Sequence, residues 1–177
     1  TFGSFSSLWK PPEIHDDIVY LSHFQSSVFH ATVLGSREVF LKYKYKSDFD
    51  GIEDYELWTR MIKAGIKFFN MQVPLYKMRV NEELRFKRDS EEKLHKRVRF
   101  LKDNLAFPIK VSEIKKLNSF CRRERLSYSE LLKSLSVMKS KRKAKSNQIV
   151  LYRLVRSYFS INKNYVKCCK NTTHSLP

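Results

Sequence analysis

The chain has 177 residues, 42% hydrophobic and 14% aromatic, enough for the core of one domain or of a small domain with an appendage, which excludes a disordered polymer. No run of about 18 uncharged apolar residues occurs, so no spanning helix is predicted, and no charged segment leading into an apolar one reads as a signal peptide. The net charge is +17, but residues 1–85 hold 11 Lys/Arg against 11 Asp/Glu, while residues 86–177 hold 24 against 7. The sequence therefore predicts two regions: a neutral, aromatic-rich part over 1–85 that suits a folded domain, and a basic part over 86–177 that suits contact with phosphate. Cys121, Cys168 and Cys169 offer neither a disulfide framework nor zinc-site spacing, and a reducing cytoplasm fits them best. Thr1 stands where a Met would begin a chain, which points to a fragment of a longer protein.

Lys10-Pro11-Pro12 reads as a turn, and Ile14, Ile18 and Leu21 then fall at helical spacing. Ser27 to Leu34, β-branched and aromatic, predicts a short buried strand. Ser36 is placed to cap a short helix running to Leu41, and a polar loop from Tyr43 to Gly51 follows. From Glu53 to Ala64, Leu57, Trp58, Met61 and Ile62 form a helical stripe, and Gly65 is placed to end that helix. Ile66–Met71 and Leu75–Val80 read as two strands separated by Val73-Pro74. Beyond residue 86 the apolar spacing predicts basic amphipathic helices over Glu91–Asn104, Val111–Phe120, Tyr128–Met138 and Ile149–Tyr158, with the charge run Lys139–Lys145 between the last two.

The feature richest in chemistry is Glu53-Asp54-Tyr55-Glu56-Leu57-Trp58-Thr59-Arg60, two adjacent carboxylates opening a helix. Acidic residues in a first turn complement the helix dipole and accept from free N–H groups, which is their ordinary structural use. Here the motif follows His30 and Arg37 and precedes a segment ending Tyr76-Lys77-Met78-Arg79-Val80. In that order it resembles the acceptor-side, C-terminal half of family 2 nucleotide-sugar glycosyltransferases: a His-bearing strand, an Arg-bearing helix, a Glu-Asp-Tyr-Asp/Glu-Leu-Trp helix, then a Leu-x-x-Tyr-Arg-Val strand. The resemblance covers about residues 8 to 90.

The resemblance implies an α/β chain, half of a Rossmann-like GT-A domain, followed by a basic helical extension. The half that holds the nucleotide sugar and the Asp-x-Asp metal site is absent. It implies Asp54 as the general base that removes the acceptor hydroxyl's proton, with Glu53 orienting that hydroxyl. Among acceptor-binding candidates, His30 lines the site or is a core histidine, and Trp58 stacks on a sugar ring or packs in the core. Arg37, Arg60 and Arg79 match basic positions of the pattern and could equally make surface ion pairs. A divalent metal, Mg or Mn, is implied for the full-length parent, with no metal ligand in this chain. Asn81 stands where relatives carry a His, and Asp48-Phe49-Asp50 imitates the metal motif from the wrong place, a loop before the catalytic helix. Tyr43-Lys44 replaces the Gly-Gly of the family's Gly-Gly-Tyr, stiffening that turn.

Implied partners are a nucleotide-sugar donor, bound through the absent half, and a saccharide or lipid-linked acceptor. The basic helices suit the anionic inner face of a cell membrane, a solvated appendage or nucleic acid, though no nucleic-acid-binding motif is present. A chain without a donor site could also be an inactive truncated product. An isolated half-domain would expose the surface meant for its other half and dissolve poorly.

Overall fold

The structure, a computed structural model, describes residues 11–77, 90–121, 126–140, 151 and 154–155. Six α-helices are seen among them: α1 His15–Leu21, α2 Arg37–Lys42, α3 Glu53–Lys63, α4 Glu91–Leu105, α5 Val111–Cys121 and α6 Tyr128–Ser140. Two 3-10 turns, His30–Thr32 and Ser47–Phe49, punctuate the first part.

Each helix has identifiable ends. The Ser36 hydroxyl accepts the Val39 N–H at 3.4 Å, and Ser90 accepts that of Lys93 at 3.3 Å. Ser127 and Glu130 form a reciprocal capping box: the Glu130 N–H donates to Ser127 Oγ at 3.3 Å, and the Ser127 N–H to Glu130 Oε2 at 3.0 Å. α3 stops in a Schellman motif, with Ile66 N–H donating to Met61 C=O and Gly65 N–H to Ile62 C=O, both at 3.0 Å. The motif requires the left-handed φ of +83° that Gly65 adopts, because a side chain is strained there.

The α/β expectation is overturned: among the described residues there is no strand, and the architecture is helical. Ser27–Leu34, read as a strand, holds the 3-10 turn His30–Thr32 instead. Ile66–Met71 and the described part of Leu75–Val80 form no strand; residues 78–80 lie outside the described set. The apolar alternation behind those expectations is real, but a strand exists only when its N–H and C=O groups meet a second strand. Here the 66–72 segment is fastened largely through side chains. Phe68 N–H donates to His15 Nδ1 at 3.2 Å, Asn70 Nδ2 donates to Pro12 and Ser27 carbonyls at 2.7 and 3.0 Å, and one backbone bond joins Asn70 N–H to Glu13 C=O.

Two hydrophobic clusters meet at α3. Tyr55 enters the larger one, with Tyr20, Leu21 and Phe24 of α1 and the turn after it, Leu94, Phe100 and Leu101 of α4, Ile114, Leu117 and Phe120 of α5, and Met138 of α6. Leu57, Trp58 and Met61 enter the smaller one, with Ile18, Val28, Val33, Val39 and Phe40 packed around them. Each buried Leu, Ile or Phe here contributes roughly 1.5–3 kcal/mol. Polar ties hold α1 in register: Tyr20 Oη donates to Met138 C=O at 3.0 Å, and Tyr55 Oη to Ser22 C=O at 2.6 Å. Complete burial pushes the Tyr55 phenol up to about 12, against the opposing pull of the Arg97 guanidinium.

Candidate functional site

The site is built around the first turn of α3. Glu56 is 1% exposed, and a carboxylate so buried needs cations. Arg60, one turn on, donates from Nε to Oε1 at 2.9 Å and from Nη2 to Oε2 at 3.1 Å, and Lys46 Nζ lies 3.4 Å from Oε1. Arg60 Nη2 also donates to the Lys44 carbonyl at 2.6 Å. Both neighbours of Tyr45 are thus pinned to α3, so the polar loop presents the Tyr45 ring in a set place.

Tyr45 Oη is 2.8 Å from His30 Nε2, one of the two donating and the other accepting. The His30 ring stands edge-on to Tyr45, centroids 5.7 Å apart, and to Trp58 at 6.1 Å. The Tyr45 phenol is pushed up first by partial burial, then by the negative charges of Asp54 and Glu53. Tyr45 is therefore a neutral phenol at physiological pH, with a proton to donate.

Asp54 is half-buried, and its Oδ1 accepts the Tyr55 N–H at 2.7 Å, one of the free donors of the helix start. Among the described residues no cation pairs with Asp54 or Glu53. Glu53 Oε2 and Trp58 Nε1 are buried and without a hydrogen-bond partner there. Trp58 is 2% exposed and also meets the Phe68 ring at 6.1 Å, so it packs in the core beneath His30.

Of the residues singled out from the sequence, His30 meets both Tyr45 and Trp58, while Asp54 and Glu53 open the helix that carries Trp58. Arg37 is exposed at the start of α2, and Arg79 lies outside the described residues. Arg60 anchors the loop. Tyr45 was missed as a site residue: its link to His30 spans 15 positions of sequence, and only its place between Lys44 and Lys46, beside a motif carrying Glu56, hinted at it.

No group of three His, Cys, Asp or Glu side chains among the described residues could hold a metal. Asp48 lies 3.5 Å from Arg99, and Phe49 between it and Asp50 is buried. The groups here with acid–base chemistry are the carboxylates on the first turn of α3 and the hydrogen-bonded Tyr45–His30 pair.

No family model matches the chain, and no curated protein or solved structure matches it either.

Proposed function

We propose that this chain supplies the acceptor-binding part of a nucleotide-sugar glycosyltransferase of the family 2 type, with Asp54 as general base. What carries the reading is the carboxylate pair Glu53-Asp54 opening α3, whose Trp58 packs against His30, itself held by the Tyr45–His30 hydrogen bond of 2.8 Å. It rests on the site, not on a sheet.

In the proposed step, the acceptor hydroxyl oxygen attacks the anomeric carbon of the donor and its proton passes to an Asp54 carboxylate oxygen. The bond from that carbon to the nucleotide diphosphate breaks, and the diphosphate leaves with the electron pair. Glu53 accepts from a second acceptor hydroxyl, and Tyr45 donates to an acceptor oxygen while His30 holds its ring. Donor binding, with its divalent metal, belongs to chain outside this sequence. No helix among the described residues is long and apolar enough to cross a membrane. Exposed Lys102 on α4, Lys110 just before α5, and Lys133 and Lys139 on α6 support peripheral contact at the cytoplasmic face of a cell membrane, where a lipid-linked acceptor would be met.

The test is transfer by the complete reading frame that contains this sequence, assayed with a panel of nucleotide sugars. Loss of a positioned base should lower turnover by about 100-fold or more in Asp54→Asn, with the acceptor KM little changed. Undiminished transfer in Asp54→Asn overturns the assignment of the base. A reading frame with no donor-binding segment overturns the enzyme reading and leaves the basic helices as the functional part.

A further inference from the structure

Phe69, Met71, Val73, Leu75 and Tyr76 are all exposed, although they stand close together in the segment that follows α3. The residues between them explain how such a run is held in place. Phe68 N–H donates to His15 Nδ1, Asn70 N–H donates to the Glu13 carbonyl, and the Asn70 side-chain amide donates to the Pro12 and Ser27 carbonyls. Gln72 Nε2 donates to the Pro11 carbonyl at 3.0 Å, and the Tyr76 ring lies against that of Phe29, centroids 5.7 Å apart. Residues 68, 70 and 72 thus hold the segment down and Tyr76 holds its far end, while Phe69, Met71, Val73 and Leu75 stand in solvent as a fixed apolar ridge.

The charge around the ridge has one sign. No Asp or Glu occurs between Glu56 and Glu82, and exposed Lys67 and Lys77 bracket the ridge. Among the described residues neither lysine makes an ion pair. Glu13 and Asp16 are the acidic neighbours on the adjoining segment, outweighed at longer range by the net charge of +17. Apolar side chains set between ammonium groups match the boundary of an anionic bilayer. There the aliphatic and aromatic groups sink below the headgroups, the lysine stems keep their charges among the phosphates, and water still serves the backbone. The net charge draws the chain to such a surface and repels a second copy of it.

We infer that residues 67–77 form a membrane-docking ridge that inserts Phe69, Met71, Val73 and Leu75 into the headgroup boundary of an anionic bilayer, with Lys67 and Lys77 among the headgroups. The contact lies in the neutral part of the sequence, apart from the exposed lysines of the basic helices. It does not depend on the catalytic reading of α3.

The experiment sediments the full chain, at about 0.05 M salt, with vesicles of phosphatidylcholine alone and of phosphatidylcholine carrying about 30% phosphatidylglycerol. Binding to the anionic vesicles should be stronger by about tenfold or more. Phe69→Ser/Leu75→Ser should weaken it by about tenfold or more, and Lys67→Gln/Lys77→Gln by about fivefold or more. All four positions are exposed, and circular dichroism checks that the variants fold. Bound Phe69→Trp should be quenched by lipids brominated on their acyl chains more than the wild type is, which marks insertion rather than adsorption. Vesicle binding undiminished in Phe69→Ser/Leu75→Ser overturns the inference. If Lys110→Gln/Lys133→Gln then abolishes binding, the basic helices are the membrane contact; if the ridge variant loses only salt-induced self-association, the ridge is a contact between copies. Full transfer by Asp54→Asn would remove the proposed base and leave the vesicle result as it was, so the two readings fail separately.

Discussion

Arg97 is the most constrained charged residue described. It is 8% exposed, donates to the Phe24 carbonyl and to Asn118 Oδ1, and lies 5.3 Å from the Tyr55 ring centre, while its Nε is buried without a partner. One guanidinium thereby ties the turn after α1 to α3 and α5. Truncation would remove the donor to the buried Phe24 carbonyl and the packing of the stem, so Arg97→Ala should cost about 3 kcal/mol in urea unfolding. A loss below about 0.5 kcal/mol would show that the surroundings relax without it. Glu56 plays the corresponding part at the site, an anion whose cations Arg60 and Lys46 pin the loop that carries Tyr45.

Elements joined by such single bonds respond to pH. His15 opens α1, and its Nδ1 accepts the Phe68 N–H at 3.2 Å, a bond that only the ring unprotonated at Nδ1 can make. Burial, then the Lys67 charge, hold His15 below its ordinary 6.5, against the nearby Asp16. With a lowered folded value the unfolded chain binds the proton first, so the stabilisation is complete above 6.5 and is lost as pH falls through the folded value. The Phe68 amide, corrected for intrinsic exchange, should therefore lose protection as pH drops from about 7 to about 5, and His15→Gln should flatten that dependence. Pronounced slowing of exchange at the lower pH would contradict this sign.

The helices were readable at this scale because their information is local. Leu57, Trp58 and Met61 announce the buried face of α3, Gly65 its end and Ser36 the start of α2, each within a turn or two of chain. The strands were not, because the same alternation at Phe69, Met71, Val73 and Leu75 means a strand only if a partner strand lies beside it.

For the whole molecule, that alternation has another outcome. Phe69, Met71, Val73 and Leu75 are 63, 62, 57 and 74% exposed, a stripe of apolar side chains along a segment without regular structure. Such stripes drive association, while a net charge of +17 opposes it until salt screens the repulsion. The chain should stay dispersed at low ionic strength and self-associate at about 0.5 M salt, with Phe69→Ser/Leu75→Ser shifting the onset upward, as light scattering would read. A monomer at every salt concentration would mean that the stripe is covered in solution. The larger cluster draws on Tyr20 and Tyr55 from the neutral part of the sequence and on Leu94, Phe100 and Phe120 from the basic part, so charge changes along the chain while the core runs through.

The amino-acid order alone was enough for the positions of the described helices, the Ser36 cap, the Gly65 stop and the carboxylate pair at the start of α3, since these depend on neighbours three or four residues away. Folding settled the rest: a helical architecture without a sheet among the described residues, Trp58 in the core, and Tyr45 joined to His30. Those outcomes depend on contacts between distant segments, and the free energy that selects them comes from burial and from completing hydrogen bonds in the assembled chain.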